Sequence, residues 1–350
     1  MPQRQSNAKA VAQALNSDPA KYAEIIIGEK PVAKGARFHR FGANGALRVY
    51  VSGPRRGKWT RFGQSNFGDM IDLIRYVENI DLPAAIDFGK DLLGNKHEDL
   101  PPIDTAAEDR ALKAETEKNI RTARYIWSRC RHVSGTPGIA YHLGRGIQCY
   151  PAFGIGFRRL DPATLEKLDL EPDAFPDGAG AIVYAVADRG KVHYVQQILL
   201  NGPNVANVLF PKRSYGELMD GAFQLGEIKD LLVLAEGPAT GLSVWQETGL
   251  PTWVTFGSGN LSRARVPACV RRLIIAADND PTGEGFNAAV DAAEIFIARG
   301  IKVRIAIPAS IGDFNNVLLD AGGDEVRNRF RDLVDPTPYL EARIAETLAA

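Results

Sequence analysis

The chain has 350 residues, with 42 Lys and Arg against 42 Asp and Glu, a formal net charge of zero, and a hydrophobic content of 45 %. That composition excludes disorder as the main character, and at roughly 100–200 residues per domain the length predicts two or three domains. Cys130, Cys149 and Cys269 are widely spaced, which excludes a disulfide framework and a four-cysteine zinc site. No apolar run reaches the roughly 18 residues of a membrane span. The N-terminus lacks the apolar core of a signal peptide, so the expectation is a cytoplasmic protein with no membrane partner.

In chain order, residues 7–16 read as a short helix. Short strands follow over about 36–62, broken by the turn signals Gly42, Asn44-Gly45, Gly53-Pro54 and Gly57. Apolar residues at helical spacing after Asp69 predict a helix, and a second covers about 82–93. Residues 95–108 are polar and contain prolines, which reads as a linker. A long helix runs to about 131, and Pro137–Leu143 gives a shorter one. From Phe153 to Leu225 the chain is strand-rich, with a hairpin predicted for 181–187 and 192–200 around Asp188–Gly190. Beyond 229, apolar strands at 231–235, 251–256, 272–277 and 303–308 alternate with helices at 238–248 and 284–299. Such alternation predicts a parallel, helix-covered sheet.

The zero net charge is an average. Lys30 to Gly68 holds nine basic residues, among them Arg55, Arg56 and Lys58, and no Asp or Glu; Trp59 is one of its six aromatics. A second acid-free stretch, 118–160, contains eight basic residues including Arg145. Cations interleaved with aromatics suit a single strand of nucleic acid, charges meeting phosphates and flat rings meeting bases. A solvated basic surface over core aromatics is the competing reading.

In parallel α/β sheets, chemistry collects at the C-terminal strand ends. Glu236 follows one predicted strand directly, and Asp278 and Asp280 follow another. Acids from neighbouring strand ends form a hard oxygen cluster suited to Mg²⁺ or Mn²⁺. Asp280, before Pro281, also fits a turn or cap residue, and Asp313 fits a helix N-cap as well as a site. Gly53–Lys58 is one residue short of a phosphate loop, and Phe256 and Asn260 stand where a nucleophile elbow has glycines. Asp278-Asn-Asp280-Pro-Thr282 also fits the D-x-D-x-T motif of haloacid-dehalogenase-type phosphatases, but the downstream acidic pair of that family is missing.

Glu236-Gly237, the strand–helix spacing, and D-x-D-x-x-G at Asp278, Asp280 and Gly283 resemble the Toprim fold, shared by bacterial-type DNA primases, type IA and II topoisomerases and some nucleases. Asp313-Phe-Asn315-Asn316-Val-Leu resembles the element after the last core strand in primase-like phage and plasmid Toprim proteins. Thr240 and Asn316 stand where that pattern often has acids. The segments at 38–42, 57–62 and 66–74 are similar to the zinc-binding domain of bacterial-type primases. Its thiols are absent, so no zinc is expected, and Phe41, Trp59 and Phe62 are expected to hold the small sheet by packing. His39, the one histidine there, reads as a surface or packing residue.

The resemblance implies a multi-domain α/β protein. Its expected parts are a small N-terminal α+β module (1–94), a linker (95–108), a basic, strand-rich middle subdomain (109–228), and a Toprim domain with a Rossmann-like parallel sheet (229–350). It implies primer synthesis from ribonucleoside triphosphates on single-stranded DNA, in a phage, plasmid or other mobile element, with a separate replicative helicase as a partner. Glu236, Asp278, Asp280 and Asp313 would hold divalent metal; Arg145, Lys212, Arg213, Arg55, Arg56, Lys58 and Trp59 would contact strand or nucleotide. A Toprim nuclease and a non-catalytic single-strand-binding protein are the alternatives.

Overall fold

A computed structural model of the chain describes residues 2–43, 45–61, 67–94 and 105–334. Phe62, Asn44 and most of the expected linker, 95–104, lie outside the described residues. The chain divides into two compact units, residues 1–115 and 116–350. The boundary expected at 228/229 falls inside the second.

The first unit packs four helices against an antiparallel meander: α1 (Pro2–Leu15), α2 (Pro19–Ile27), α3 (Met70–Glu78) and α4 (Leu82–Leu93). The sheet runs in order through β1 (Ala33–Lys34), β2 (Phe38–Phe41), β3 (Leu47–Tyr50), β4 (Trp59–Arg61) and β5 (Phe67–Gly68). Helix starts follow short polar side chains: Asp18 caps α2, Asp69 and Asp72 form a capping box on α3, and Asp81 caps α4. α2 escaped the sequence reading although Asp18-Pro19 announces it.

Pleating sorts the sheet's side chains. Phe41 pairs with Leu47, and Val49 with Trp59, on a face buried against α1–α4. Phe38 pairs with Tyr50, and Arg40 with Arg48, on the other face. Trp59 therefore points into the core, only 2 % exposed and 4.9 Å from the Tyr76 ring centroid. The expectation that it stacks on a base is corrected by this burial, because neither ring face is open. Phe41 is likewise buried, as the packing argument required.

The second unit begins within α5 (Thr105–Ser128), which starts inside the segment expected as linker. α6 (Pro137–Leu143) precedes an antiparallel sheet of β6 (Ile155–Arg159), β7 (Ala179–Asp188), β8 (Lys191–Asn201) and β10 (Lys212–Gly216), ordered β10-β8-β7-β6, with β9 (Asn204–Val205) on β8. α7 (Pro162–Lys167) lies between β6 and β7. The β7–β8 hairpin turns through Arg189 and Gly190, both with positive φ.

A second sheet follows: β11 (Phe223–Leu225), β12 (Leu231–Ala235), β13 (Thr252–Val254), β14 (Arg272–Ala276) and β15 (Lys302–Ala306), ordered β11-β13-β12-β14-β15. All but β11 are parallel neighbours. β12 and β14 bury almost every residue because helices cover both faces. α9 (Glu284–Ala298) packs on Leu232, Leu234 and Ile275; α8 (Pro238–Thr248), α10 (Phe314–Ala321) and α11 (Gly323–Val334) pack on Val233, Ala235 and Ile274. The two sheets of this unit share one core, in which Tyr184 and Ile198 join Leu225, Leu242 and Phe256. No helix among the described residues is long and apolar enough to cross a membrane.

Candidate active site

The strand order sets the position of the site. From β12 the chain passes through α8 to β13 on one side, then returns to β14 on the other, so the connections diverge between β12 and β14. In open α/β sheets ligands bind beyond the carboxyl ends of the strands at such a switch point. Ala235 pairs with Ala276 in register, so Glu236 and Asp278 leave adjacent strands at that edge of the sheet.

Glu236 accepts a hydrogen bond from the Ser258 backbone N–H. Burial raises its pKa, and the charges of Glu284 and Asp280 add to the rise, while the Ser258 N–H and Lys212 oppose it. Asp278 is pushed up to about 7: burial is the largest cause, followed by the charges of Glu236, Asp313 and Asp280, against Lys212. Its Oδ1 is buried with no hydrogen-bond partner.

Asp280, two residues on, meets a different environment. Burial raises its pKa, but hydrogen bonds outweigh it and hold the carboxyl below its ordinary range. Oδ1 accepts from the Thr282 N–H and hydroxyl and the Glu284 N–H, and Oδ2 accepts from the Gly285 N–H at 2.6 Å. Asp280 thus fastens the start of α9. Gly285 makes that approach feasible, since a Cβ there would stand 2.6 Å from the Asp278 carbonyl oxygen.

Asp313 is delivered from the far side. Asn279 and Gly312 exchange backbone hydrogen bonds, and the Asn279 amide donates to the Pro308 and Ser310 carbonyls at 3.1 Å. Gly312 has φ +132°, a turn that favours glycine. Asp313 then caps α10 in a box with Asn316, the residue standing where an acid is common. Asn315, 1 % exposed, donates to the Arg145 carbonyl at 2.7 Å and the Ser243 hydroxyl at 3.0 Å, and accepts from Arg145 Nη1 at 3.2 Å. The Arg145 guanidinium lies 5.0 Å from the Tyr141 ring centroid. Burial raises the Tyr141 hydroxyl, Arg145 lowers it and Asp313 raises it, which sets all three side chains in one electrostatic neighbourhood.

Lys212 and Arg213 part company on β10, because neighbouring strand residues face opposite ways. Lys212 is exposed and its charge acts on Glu236 and Asp278. Arg213 donates to the Phe210 and Leu168 carbonyls and ties loops together. In the first unit, Arg55 pairs with Glu115, Arg56 donates to the Asn16 and Ser17 carbonyls beyond α1, and Lys58 is exposed. The sequence reading missed Glu284, whose only signal was its position just after the D-x-D-x-x-G motif, and the tie through Asn315 and Ser243, which had none.

Among the described residues, no three His, Cys, Asp or Glu side chains stand together as a metal-holding group. A hard divalent cation nevertheless fits the donor set. Mg²⁺ commonly keeps several waters and binds through one or two carboxylates plus substrate phosphates. Asp278, with a buried oxygen that no donor satisfies and three carboxylates crowding it, lacks the positive charge such an ion supplies.

Comparison with known proteins gives two family matches: a Toprim domain over residues 231–324 and a domain of unknown function (DUF7146) over 117–225. Among solved structures, the chain is similar to the zinc-binding and RNA polymerase domains of the Aquifex aeolicus primase, with 14 % identity, 93 % of this chain and 85 % of that chain covered, and a TM-score of 0.42. It is also similar to a DnaG primase catalytic domain bound to single-stranded DNA, with 15 % identity, 63 % and 82 % covered, and a TM-score of 0.44. A DnaG catalytic core gives 14 %, 63 %, 79 % and 0.43. The stretch that matches the Toprim domain, residues 231–324, carries Glu236, Asp278 and Asp313, whose charges bear on one another at the sheet's switch point.

Proposed function

We propose that the protein is a primase-type nucleotidyltransferase that synthesises oligoribonucleotide primers on single-stranded DNA, in the replication of a mobile element served by a separate helicase. The observation that carries this reading is Asp278, buried at the switch point of a Toprim sheet among Glu236, Asp313 and Asp280 with an unsatisfied oxygen. Glu236 and Asp278 would hold Mg²⁺ or Mn²⁺, with Asp313 and Asp280 adding negative charge around it. When bound, the ion neutralises triphosphate charge and lowers the cost of ionising a ribose hydroxyl.

The remaining chemistry is positioning. A 3′-hydroxyl gives up its proton to solvent as its oxygen bonds to the α-phosphorus of the next nucleotide, the bond to the bridging oxygen breaks, and pyrophosphate leaves. Lys212 offers a mobile cation beside the acids for the triphosphate, and Arg145, braced by Asn315 and Tyr141, offers a fixed one. The cationic, aromatic-bearing outer face of the N-terminal sheet (Phe38, Arg40, Arg48) holds template.

The test incubates the protein with labelled ribonucleotides, Mg²⁺ and single-stranded DNA. Oligoribonucleotide product is expected, falling by about 10²–10³-fold or more in Asp278→Ala. Shortened DNA in place of product supports a nuclease, and DNA binding with neither product contradicts both enzyme readings. Lys212→Ala is expected to raise the nucleotide KM roughly 10-fold without changing the melting temperature. Arg213→Ala removes two hydrogen bonds to carbonyls and is expected to cost about 1–3 kcal/mol of stability.

A further inference from the structure

The outer face of the N-terminal sheet carries a contact that its surface role does not call for. On this face Arg48 lies 4.4 Å and Arg40 5.3 Å from the Phe38 ring centroid, and Arg55 lies 5.9 Å from that of Tyr50. Burial raises the Tyr50 hydroxyl, but the charges and hydrogen bonds of Arg48 and Arg55 override it and hold it below its ordinary value. Into this cationic surface α5 inserts Glu115, 9 % exposed. Its Oε1 pairs with Arg37 Nη2, and its Oε2 stands 3.9 Å from Arg55 Nε, buried and without a hydrogen bond.

Two guanidiniums converging on one oxyanion, beside aromatic rings, form a site for a backbone phosphate. Glu115 fills it imperfectly, because one of its two carboxylate oxygens is buried and reaches no donor here. We infer that Arg37 and Arg55 form a phosphate subsite for single-stranded nucleic acid, and that Glu115 occupies it in the free protein as an internal competitor. Binding of a strand displaces Glu115 and releases that part of α5 from the sheet. This rests on the reading that the outer sheet face binds template.

The test measures binding of the full chain to a fluorescent oligothymidylate across salt concentrations. Glu115→Gln keeps the shape and removes the competing charge. Affinity is expected to rise about 3–10-fold, with the salt slope steeper by about 0.7, one phosphate's worth of counterion release from a single strand. Adding Arg37→Gln to that variant is expected to cancel the gain. Unchanged or weaker binding by Glu115→Gln overturns the inference. Should that variant misfold, hydrogen exchange in the wild-type chain decides: oligothymidylate is expected to speed exchange around residues 111–118 while protecting 37–55, and unchanged exchange at 111–118 overturns the inference. Arg48→Ala separates the two readings. If it leaves binding intact, the face is not the template surface; if it weakens binding while the Glu115 arms show nothing, only the subsite fails.

Discussion

Replacing Asp278 by Asn is expected to stabilise the metal-free protein at pH 8 by on the order of 2 kcal/mol, raising its melting temperature by about 5 °C. The cause is the crowding of its carboxyl, pushed up to about 7 by burial and then by Glu236, Asp313 and Asp280. Below the ordinary carboxylate value of 3.8 the group is protonated in both folded and unfolded chains and costs nothing. As pH rises from there through about 7, the unfolded chain ionises first, and folding loses stability across that window. His142 acts on the acid side. Burial, then the Arg145 charge, lowers it to about 4, with its Nε2 2.8 Å from the Tyr184 hydroxyl, so its contribution is complete above 6.5 and lost toward 4. Comparing wild type with Asp278→Asn removes the His142 slope from the difference. The two melting temperatures should coincide near pH 4 and diverge to a plateau above pH 7. Mg²⁺ should raise that of the wild type at pH 8 and leave the variant unmoved. Equal pH profiles in metal-free buffer would show that Asp278 carries no such burden.

Trp59→Ala is the second large effect. The indole sits in the core of the first unit with Phe41, Val49 and Met70, and its removal opens a cavity that α1–α4 cannot fill without moving. Truncations of this kind cost about 3–5 kcal/mol, a large fraction of the 5–15 kcal/mol that holds a typical domain. Denaturant unfolding should show the first unit melting at a much lower midpoint. Trp59→Phe retains most of the buried area and is expected to leave DNA affinity within about twofold of wild type, because the ring is closed to solvent. A tenfold loss of affinity with the fold intact would mean that the ring reaches a base after all.

How far the sequence could be read depended on the range of the interactions involved. The strands 231–235 and 272–277 were legible because parallel strands buried on both faces are unbroken apolar runs, and the acids at their ends stood out against them. Pro137–Leu143 emerged with the observed bounds because Thr136, Pro137 and Gly144 mark its ends locally. The facing of Trp59 and Arg213 was present in the alternation of their strands, since register places Val49 and Trp59 together and Arg40 and Arg48 together. Composition alone had merged the two faces of that sheet into a single basic-aromatic stretch. Asp280 illustrates a subtler limit: the same residue satisfies a ligand motif and a helix cap, and only the four hydrogen bonds from Thr282, Glu284 and Gly285 reveal how much of it the cap occupies. Asn315 to Arg145 and Glu115 to Arg37 join residues far apart in the chain, and no local pattern encodes such contacts.

The proposed primase chemistry depends on a divalent cation held by the acids at the switch point between β12 and β14. Titration of the metal-free protein with Mn²⁺, read by calorimetry, tests it without requiring a reaction. Saturable binding is expected at pH 8, weakened at least tenfold by Asp278→Asn or Glu236→Gln and unaffected by Trp59→Phe. Wild type and Asp278→Asn binding Mn²⁺ alike, or neither binding it, would mean that these acids hold no divalent cation.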